Sequence, residues 1–253
     1  MKNLKIKDRA KNIGYPLLTF LLMILMWEIS VKKFDIPSYI LPSPYDIFLE
    51  FINDWKVLVM HSRVTLLETL IGLILSIAIS LLIGMVMDFI PFIKKCFKPI
   101  MYVTQMIPTI TIAPLLVIWF GFGIKSKVLC VVLTCFFPML INFMDGMETI
   151  DKDLLNLFKI MKANKLKTFL HLKFPMAMEK FFTGLKISAT YAFIAATVAE
   201  WLGGSAGLGV YMVRSKSSYA LDKVFASTIL VVFFSLIFVG LISLLKKIFI
   251  KWR

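Results

Sequence analysis

Six long apolar runs, with almost all charges confined to the segments between them, limit what this chain can become more than any other feature. A spanning helix takes about 20 mostly apolar residues. Residues 14–31, 65–87, 99–122, 128–144, 182–202 and 224–245 approach that length once flanking charges snorkel towards the interface. An Asp, Lys or Arg at the centre of a spanning helix costs roughly 2.5–3.5 kcal/mol, so this segregation of charge is what lipid selects. Of 253 residues, 59% are hydrophobic and 17% charged, more apolar than a water-soluble core absorbs. In hydrocarbon the backbone must satisfy its own hydrogen bonds, and unbroken apolar runs of this length do so as helices. The expectation is an all-α polytopic membrane protein with about six transmembrane helices. The fifth run is the least clear, because only residues 187–199 lie free between Lys186 and Glu200.

The formal net charge of +14 does not point to nucleic acid, since no soluble basic domain exists to carry it. Its placement gives orientation instead. With the N-terminus in the cytoplasm, the inner segments hold 19 Lys and Arg against 9 outside, which by the positive-inside rule predicts both termini in the cytoplasm of a multi-pass cell-membrane protein. Residues 1–13 then form a basic cytoplasmic tail, residues 14–253 a single transmembrane domain, and residues 145–181 its longest cytoplasmic loop. Lys2, Lys5, Lys7, Arg9 and Lys11 before an apolar run superficially resemble a signal peptide, but no small-residue cleavage site follows, so the run reads as a retained first span. Cys96, Cys130 and Cys135 sit in or beside apolar runs and read as small buried hydrophobes, with no disulfide or metal set expected.

Small residues recur at every fourth position in two spans, Gly72, Ser76, Ser80 and Gly84 in one and Ser188, Ala192 and Ala196 in the other. Such stripes let helix backbones approach closely in a bilayer, within the chain or between subunits. Pro108, Pro114 and Pro138 predict kinks in the third and fourth spans. Outside the membrane, Ser43 and Pro44 are a predicted N-cap and first helical residue, and Ile47, Phe48, Phe51, Ile52 and Trp55 give the helix an apolar face on the outer surface. The run Gly203-Gly204-Ser205-Ala206-Gly207-Leu208-Gly209 reads as a flexible turn; no strand precedes it and no Lys-Ser/Thr closes it as in a phosphate loop.

In the 145–181 loop, Asp151 predicts the cap of a short helix bearing Leu154, Leu155, Leu157, Phe158 and Met161, and Asn164 the cap of a second with Leu166, Phe169 and Leu170 before Pro175. Two amphipathic helices with no domain of their own to cover them either lie on lipid or dock into a partner's groove.

This loop resembles the coupling loop of binding-protein-dependent ABC importer permeases, whose pattern runs Glu-Ala-Ala, then Gly, then Leu-Pro. The matching positions are Asn156-Leu157-Phe158, Lys162 and Phe174-Pro175, followed by Gly184-Leu185-Lys186-Ile187. Ile40-Leu41-Pro42-Ser43-Pro44, Ile107-Pro108, Ala113-Pro114-Leu115, Trp119-Phe120-Gly121, Phe136-Phe137-Pro138, Glu200-Trp201-Leu202-Gly203 and Gly207-Leu208-Gly209 extend the resemblance over nearly the whole chain, within the nitrate, sulfonate, taurine and thiamine-precursor branch. Within that branch, the combination of Met87-Asp88, Cys135-Phe136-Phe137-Pro138, Asp145-Gly146 and Glu200-Trp201-Leu202-Gly203 with Tyr211-Met212-Val213-Arg214 is most similar to permeases for the pyrimidine precursor of thiamine. Two departures stand out: Asn156, Leu157 and Phe158 replace a Glu and two small residues, and Lys162 replaces a Gly suited to positive φ.

The resemblance implies a type I ABC importer permease that pairs with a second copy, two ABC ATPase subunits and an extracytoplasmic solute-binding protein. Asp151, Leu154, Asn156, Leu157, Phe158, Met161, Lys162, Pro175 and Gly184 would form or support the ATPase contact. Polar residues in or near spans three to five, namely Gln105, Thr109, Asn142, Thr190, Tyr191 and Glu200, are the pathway candidates. No cofactor is expected. A membrane enzyme would need converging ionisable groups, yet the only two histidines, His61 and His171, are predicted on opposite sides. A secondary transporter would show intramembrane carboxylates and related halves. Glu28, Glu68, Asp88 and Glu200 are instead expected near span ends in solvated or interfacial settings, and no repeat is visible.

Overall fold

The computed structural model describes residues 2–250, with side chains from Gly14 onward. The side chains of the basic tail, residues 1–13, and all of residues 251–253 lie outside the described residues. Every regular element among the described residues is helical: α1 (Lys2–Lys33), α2 (Pro44–Asn53), α3 (Trp55–Phe89), α4 (Pro91–Thr104), α5 (Thr109–Phe120), α6 (Ile124–Glu148), α7 (Lys152–Ile160), α8 (Lys165–Thr168), α9 (Phe174–Trp201), α10 (Leu208–Ser217) and α11 (Leu221–Phe249). A π-helical turn, Phe169–Lys173, joins α8 to α9. Five stretches are long and apolar enough to cross a membrane, and a sixth if the bent pair α4–α5 counts as one span. The kink expected in the third span is a full break, 102° between Pro91–Thr104 and Thr109–Phe120. Pro108 is the N-cap of α5 with extended ψ, and it biases Ile107 away from helix as well. Pro114 and Pro138, by contrast, lie inside continuous helices.

Two compact units make up the fold. The first comprises Met1–Val59 and Tyr211–Thr228. In it α1 leaves Leu17, Phe20, Leu21, Met23 and Met26 exposed, as a lipid-facing helix does. The cap read from sequence is present: the Ser43 hydroxyl accepts from the Asp46 amide, and the Asp46 carboxylate accepts from the Ser43 amide. Of the predicted apolar face of α2, Ile47 is buried while Phe48, Ile52 and Trp55 are exposed, and Glu50 turns inward beside Ile47. Lys223 donates to Asp54 at 2.6 Å and lies 3.4 Å from Glu50, and the Tyr211 hydroxyl donates to Asp54 at 2.8 Å. The Lys223 hydrogen bond holds the Asp54 carboxyl below its ordinary range, whereas burial pushes Glu50 up.

The second unit comprises Met60–Val210 and Ile229–Arg253, and α6 is its axis. The small-residue stripe of α3 packs on α6: a Cβ at Gly72 would come within 2.5 Å of Val131, and one at Gly84 within 2.5 Å of Phe143. On the other side α9 meets α6 through Gly184, where a Cβ would approach the Pro138 carbonyl to 2.6 Å, and through Ser188, whose hydroxyl donates to the Cys135 carbonyl at 2.8 Å. Both stripes therefore serve packing inside the chain, where absent side chains let van der Waals contact replace lipid. Phe143, Phe169, Phe174 and Phe181 close one end of this core with tilted and edge-to-face ring contacts.

Candidate functional site

A cavity of about 310 Å³ opens where α4 breaks into α5, walled by Ile112, Leu116, Leu133 and Phe137 and carrying the polar groups Thr104, Gln105, Thr109, Thr134 and Tyr191. Among the described residues no charged side chain lines it. Thr134 donates to the Cys130 carbonyl at 2.8 Å, so at the 3.0 Å contact between the two hydroxyls it is Thr109 that donates to Thr134. The Thr109 oxygen is thereby left as an acceptor facing the cavity. The Gln105 amide and the Tyr191 hydroxyl make no hydrogen bond to another described residue, which leaves donors and acceptors for a solute. An apolar hollow with a few convergent polar groups is the usual form of a small-molecule site.

Of the six pathway candidates, Gln105, Thr109 and Tyr191 meet in this cavity. Asn142 instead donates to the Pro138 carbonyl at 2.8 Å, and Thr190 is exposed and donates to the Lys186 carbonyl at 3.1 Å. Thr104 and Thr134 were not singled out from sequence. As hydroxyl residues in the same two runs, they met the criterion that selected Thr109.

Glu200 lies elsewhere, 1% exposed, in a buried polar cluster. One carboxylate oxygen accepts from the Thr65 hydroxyl at 2.7 Å and the other from the Gly209 amide at 2.6 Å. The Leu208 amide donates to Thr65 at 2.8 Å and the Gly207 amide to His61 Nδ1 at 3.0 Å. Three successive N–H groups at the start of α10 are thus satisfied by side chains, and the positive end of that helix faces a carboxylate. Lys127 donates to the carbonyls of Phe122, Gly123 and Gly203, and Glu68, 3% exposed, completes the cluster against Glu200. The glycine-rich segment is therefore a pinned clasp and not the flexible turn expected. Gly207 has φ +124°, and a Cβ on it would lie 2.3 Å from the Glu200 carboxyl. The interfacial setting expected of Glu68 and Glu200 is also corrected: both are enclosed, Glu200 with a hydrogen bond to each carboxylate oxygen, Glu68 beside it with Oε2 left without a hydrogen-bond partner among the described residues.

The third feature is α7. Asp151 caps it by accepting from the Asp153 amide at 2.9 Å, and Asn164 caps α8 by accepting from the Lys167 amide at 2.8 Å. Leu155 and Phe158 are half-buried against the chain, whereas Leu154, Leu157, Ile160 and Met161 are exposed, Ile160 by 78%. Asn156 is exposed as well. The sequence pattern grouped Leu157 with Phe158, but helical spacing separates them onto different faces. Lys162, at the position of the resembled Gly, adopts φ +53° between α7 and α8. Pro175 stands in the first turn of α9, directly after the π-helical turn Phe169–Lys173.

The cavity at the helix break, the short exposed α7 and the five or six helices of membrane-crossing length describe a polytopic membrane protein with a solute-sized hollow. The sequence model of binding-protein-dependent transport system inner membrane components matches residues 76–252, and this chain belongs to that family. It is 35% identical to the formylaminopyrimidine transport permease protein ThiX of Halalkalibacterium halodurans over 239 residues, which cover 94% of this chain and 95% of the relative. A probable ABC transporter permease protein of Haemophilus influenzae is 34% identical, with 87% and 90% covered. The riboflavin transport system permease protein RibX of Chloroflexus aurantiacus is 28% identical, with 95% and 90% covered. The chain is thus a multi-pass membrane permease component of the ABC importer class.

Proposed function

We propose that this permease imports a neutral nitrogen heterocycle, with the pyrimidine precursor of thiamine as the first choice. The observation that carries the reading is the cavity at the α4–α5 break, which offers hydroxyls and an amide but no cation. A nitrate or sulfonate desolvated there would lack a compensating charge, a cost of several kcal/mol that a neutral ring with hydrogen-bonding edges does not incur. Two of the three relatives above carry the names of heterocycle permeases, formylaminopyrimidine and riboflavin. An extracytoplasmic binding protein would deliver the solute. Two ATPase subunits would each take the exposed face of one α7 in a dimer of this chain, with both termini cytoplasmic. ATP-driven closure of the ATPases would then move α7 and switch access to the cavity.

The testing experiment is uptake in proteoliposomes holding the permease, its ATPase and its binding protein. Labelled formylaminopyrimidine should accumulate only with ATP, and nitrate or taurine in excess should not compete. Uptake of taurine or nitrate in preference to the pyrimidine refutes the substrate assignment.

A further inference from the structure

A second cavity, about 350 Å³ and open to the surface, lies against α7, lined by Leu155 and Lys159 of α7, Lys165 of α8, Lys173 of the π-helical turn, and Asp88 and Phe89 at the α3–α4 junction, with Lys159 and Lys165 exposed. Its volume falls within the ~300–1,000 Å³ typical of small-molecule sites. Three ammonium groups face one carboxylate, so the lining carries a net charge of +2. Lys173 alone is paired, its Nζ 2.7 and 2.9 Å from the two Asp88 oxygens. Lys159 and Lys165 have neither ion pair nor hydrogen bond to another described residue. The π turn that presents Lys173 is a rare geometry, frequent at functional sites. One wall is apolar, and Ile90 and Phe92, at the same junction, are exposed, the latter by 75%. The cavity thus pairs unneutralised cations with an apolar surface, the combination that matches a phosphate carried on an acyl-bearing molecule. Basic pockets at the cytoplasmic ends of spanning helices bind such headgroups.

We propose that this cavity is a binding site for a phosphate group, supplied by the headgroup of an anionic phospholipid, with Lys159 and Lys165 as its principal contacts. The cytoplasmic location rests on the orientation given under Proposed function; the cavity and its charge do not. A lipid seated there would brace the face of α7 that Leu155 and Phe158 turn inward, while leaving the Leu157 face free for a partner.

The full chain, in nanodiscs or mild detergent, is titrated with phosphatidylglycerol, phosphatidylcholine and inorganic phosphate, and bound lipid is counted by native mass spectrometry. Phosphatidylglycerol should be retained over phosphatidylcholine, and Lys159→Ala with Lys165→Ala should weaken it on the order of tenfold at low salt. Lys159→Arg with Lys165→Arg should restore it, and Lys152→Ala with Lys167→Ala, equal in charge but outside the cavity, should leave it unchanged. Equal retention of both lipids, or equal loss in the two alanine pairs, overturns the site. Inorganic phosphate bound without lipid preference overturns the lipid as its source. Loss of ATPase copurification with lipid retention intact assigns the lysines to the ATPase and also overturns it. ATP-driven uptake measured on the same samples separates the two readings: a failed transport assignment abolishes solute specificity and leaves lipid retention untouched.

Discussion

Gly207 is the position at which a single methyl group does most damage. Its φ of +124° is one that L side chains rarely adopt, and an added Cβ would stand 2.3 Å from both the carboxyl carbon and Oε1 of Glu200. Holding a non-glycine residue in such a conformation costs about 1–3 kcal/mol. Forcing a methyl into a packed, enclosed site adds about 1–3 kcal/mol. The Glu200 carboxylate cannot yield cheaply, because the Thr65 hydroxyl and the Gly209 amide fix both of its oxygens. Gly207→Ala should therefore destabilise the fold by about 2–6 kcal/mol, and at roughly 2–4 °C per kcal/mol for a chain of this size the unfolding midpoint in detergent should fall by at least about 4 °C. Gly240→Ala is the control: nothing lies within 4 Å of the added Cβ, and the substitution should be neutral or slightly stabilising. In a Glu200→Ala background, where the overlap is absent, the Gly207→Ala cost should shrink to its backbone part, a non-additivity the double-mutant cycle reads directly. Equal midpoints for Gly207→Ala and Gly240→Ala, or full additivity with Glu200→Ala, would refute the clasp.

Lys162→Gly should raise stability by about 1 kcal/mol, measurable as a higher midpoint, because φ +53° is disfavoured for a side-chain-bearing residue. Leu157→Asp with Ile160→Asp should leave membrane abundance unchanged while abolishing ATPase copurification, since each exposed side chain would contribute about 1.5–3 kcal/mol on burial in a partner. Phe158→Asp, placed on the inward face, should lower abundance instead. Gln105→Ala and Tyr191→Phe should each reduce uptake efficiency about 2–10-fold, the worth of one hydrogen bond, with ATPase copurification intact in pull-down.

The spans and the capped surface helices were legible because each rests on local signals: apolar length, Ser43 before Pro44, Asp151 and Asn164 before amphipathic turns. Lys162 read as a departure from a pattern with Gly at that position, and the backbone there takes φ +53° all the same. Convergence was not legible. His61, Thr65 and Glu68 share one helix, but Lys127 and Glu200 come from two other stretches of sequence, and nothing local marks the three stretches as one cluster. A carboxylate near a span end reads as solvated until its partners are known. The glycine run misled for a related reason, because the residue that gives a turn freedom also lets a backbone press against a carboxyl. Three of the five polar residues that line the cavity, Gln105, Thr109 and Tyr191, could be picked as polar groups in apolar runs. Which of the pathway candidates share the α4–α5 break depends on the 102° bend, and Pro108 alone foretells a kink without its size.

ATP-driven solute uptake by the reconstituted complex, measured with and without each partner, bears most directly on this chain's role. Pyrimidine accumulation that requires the permease, the ATPase and the binding protein together, and that falls with Gln105→Ala and Tyr191→Phe, is the predicted result. Accumulation by this chain alone, or uptake indifferent to both cavity substitutions, would contradict it.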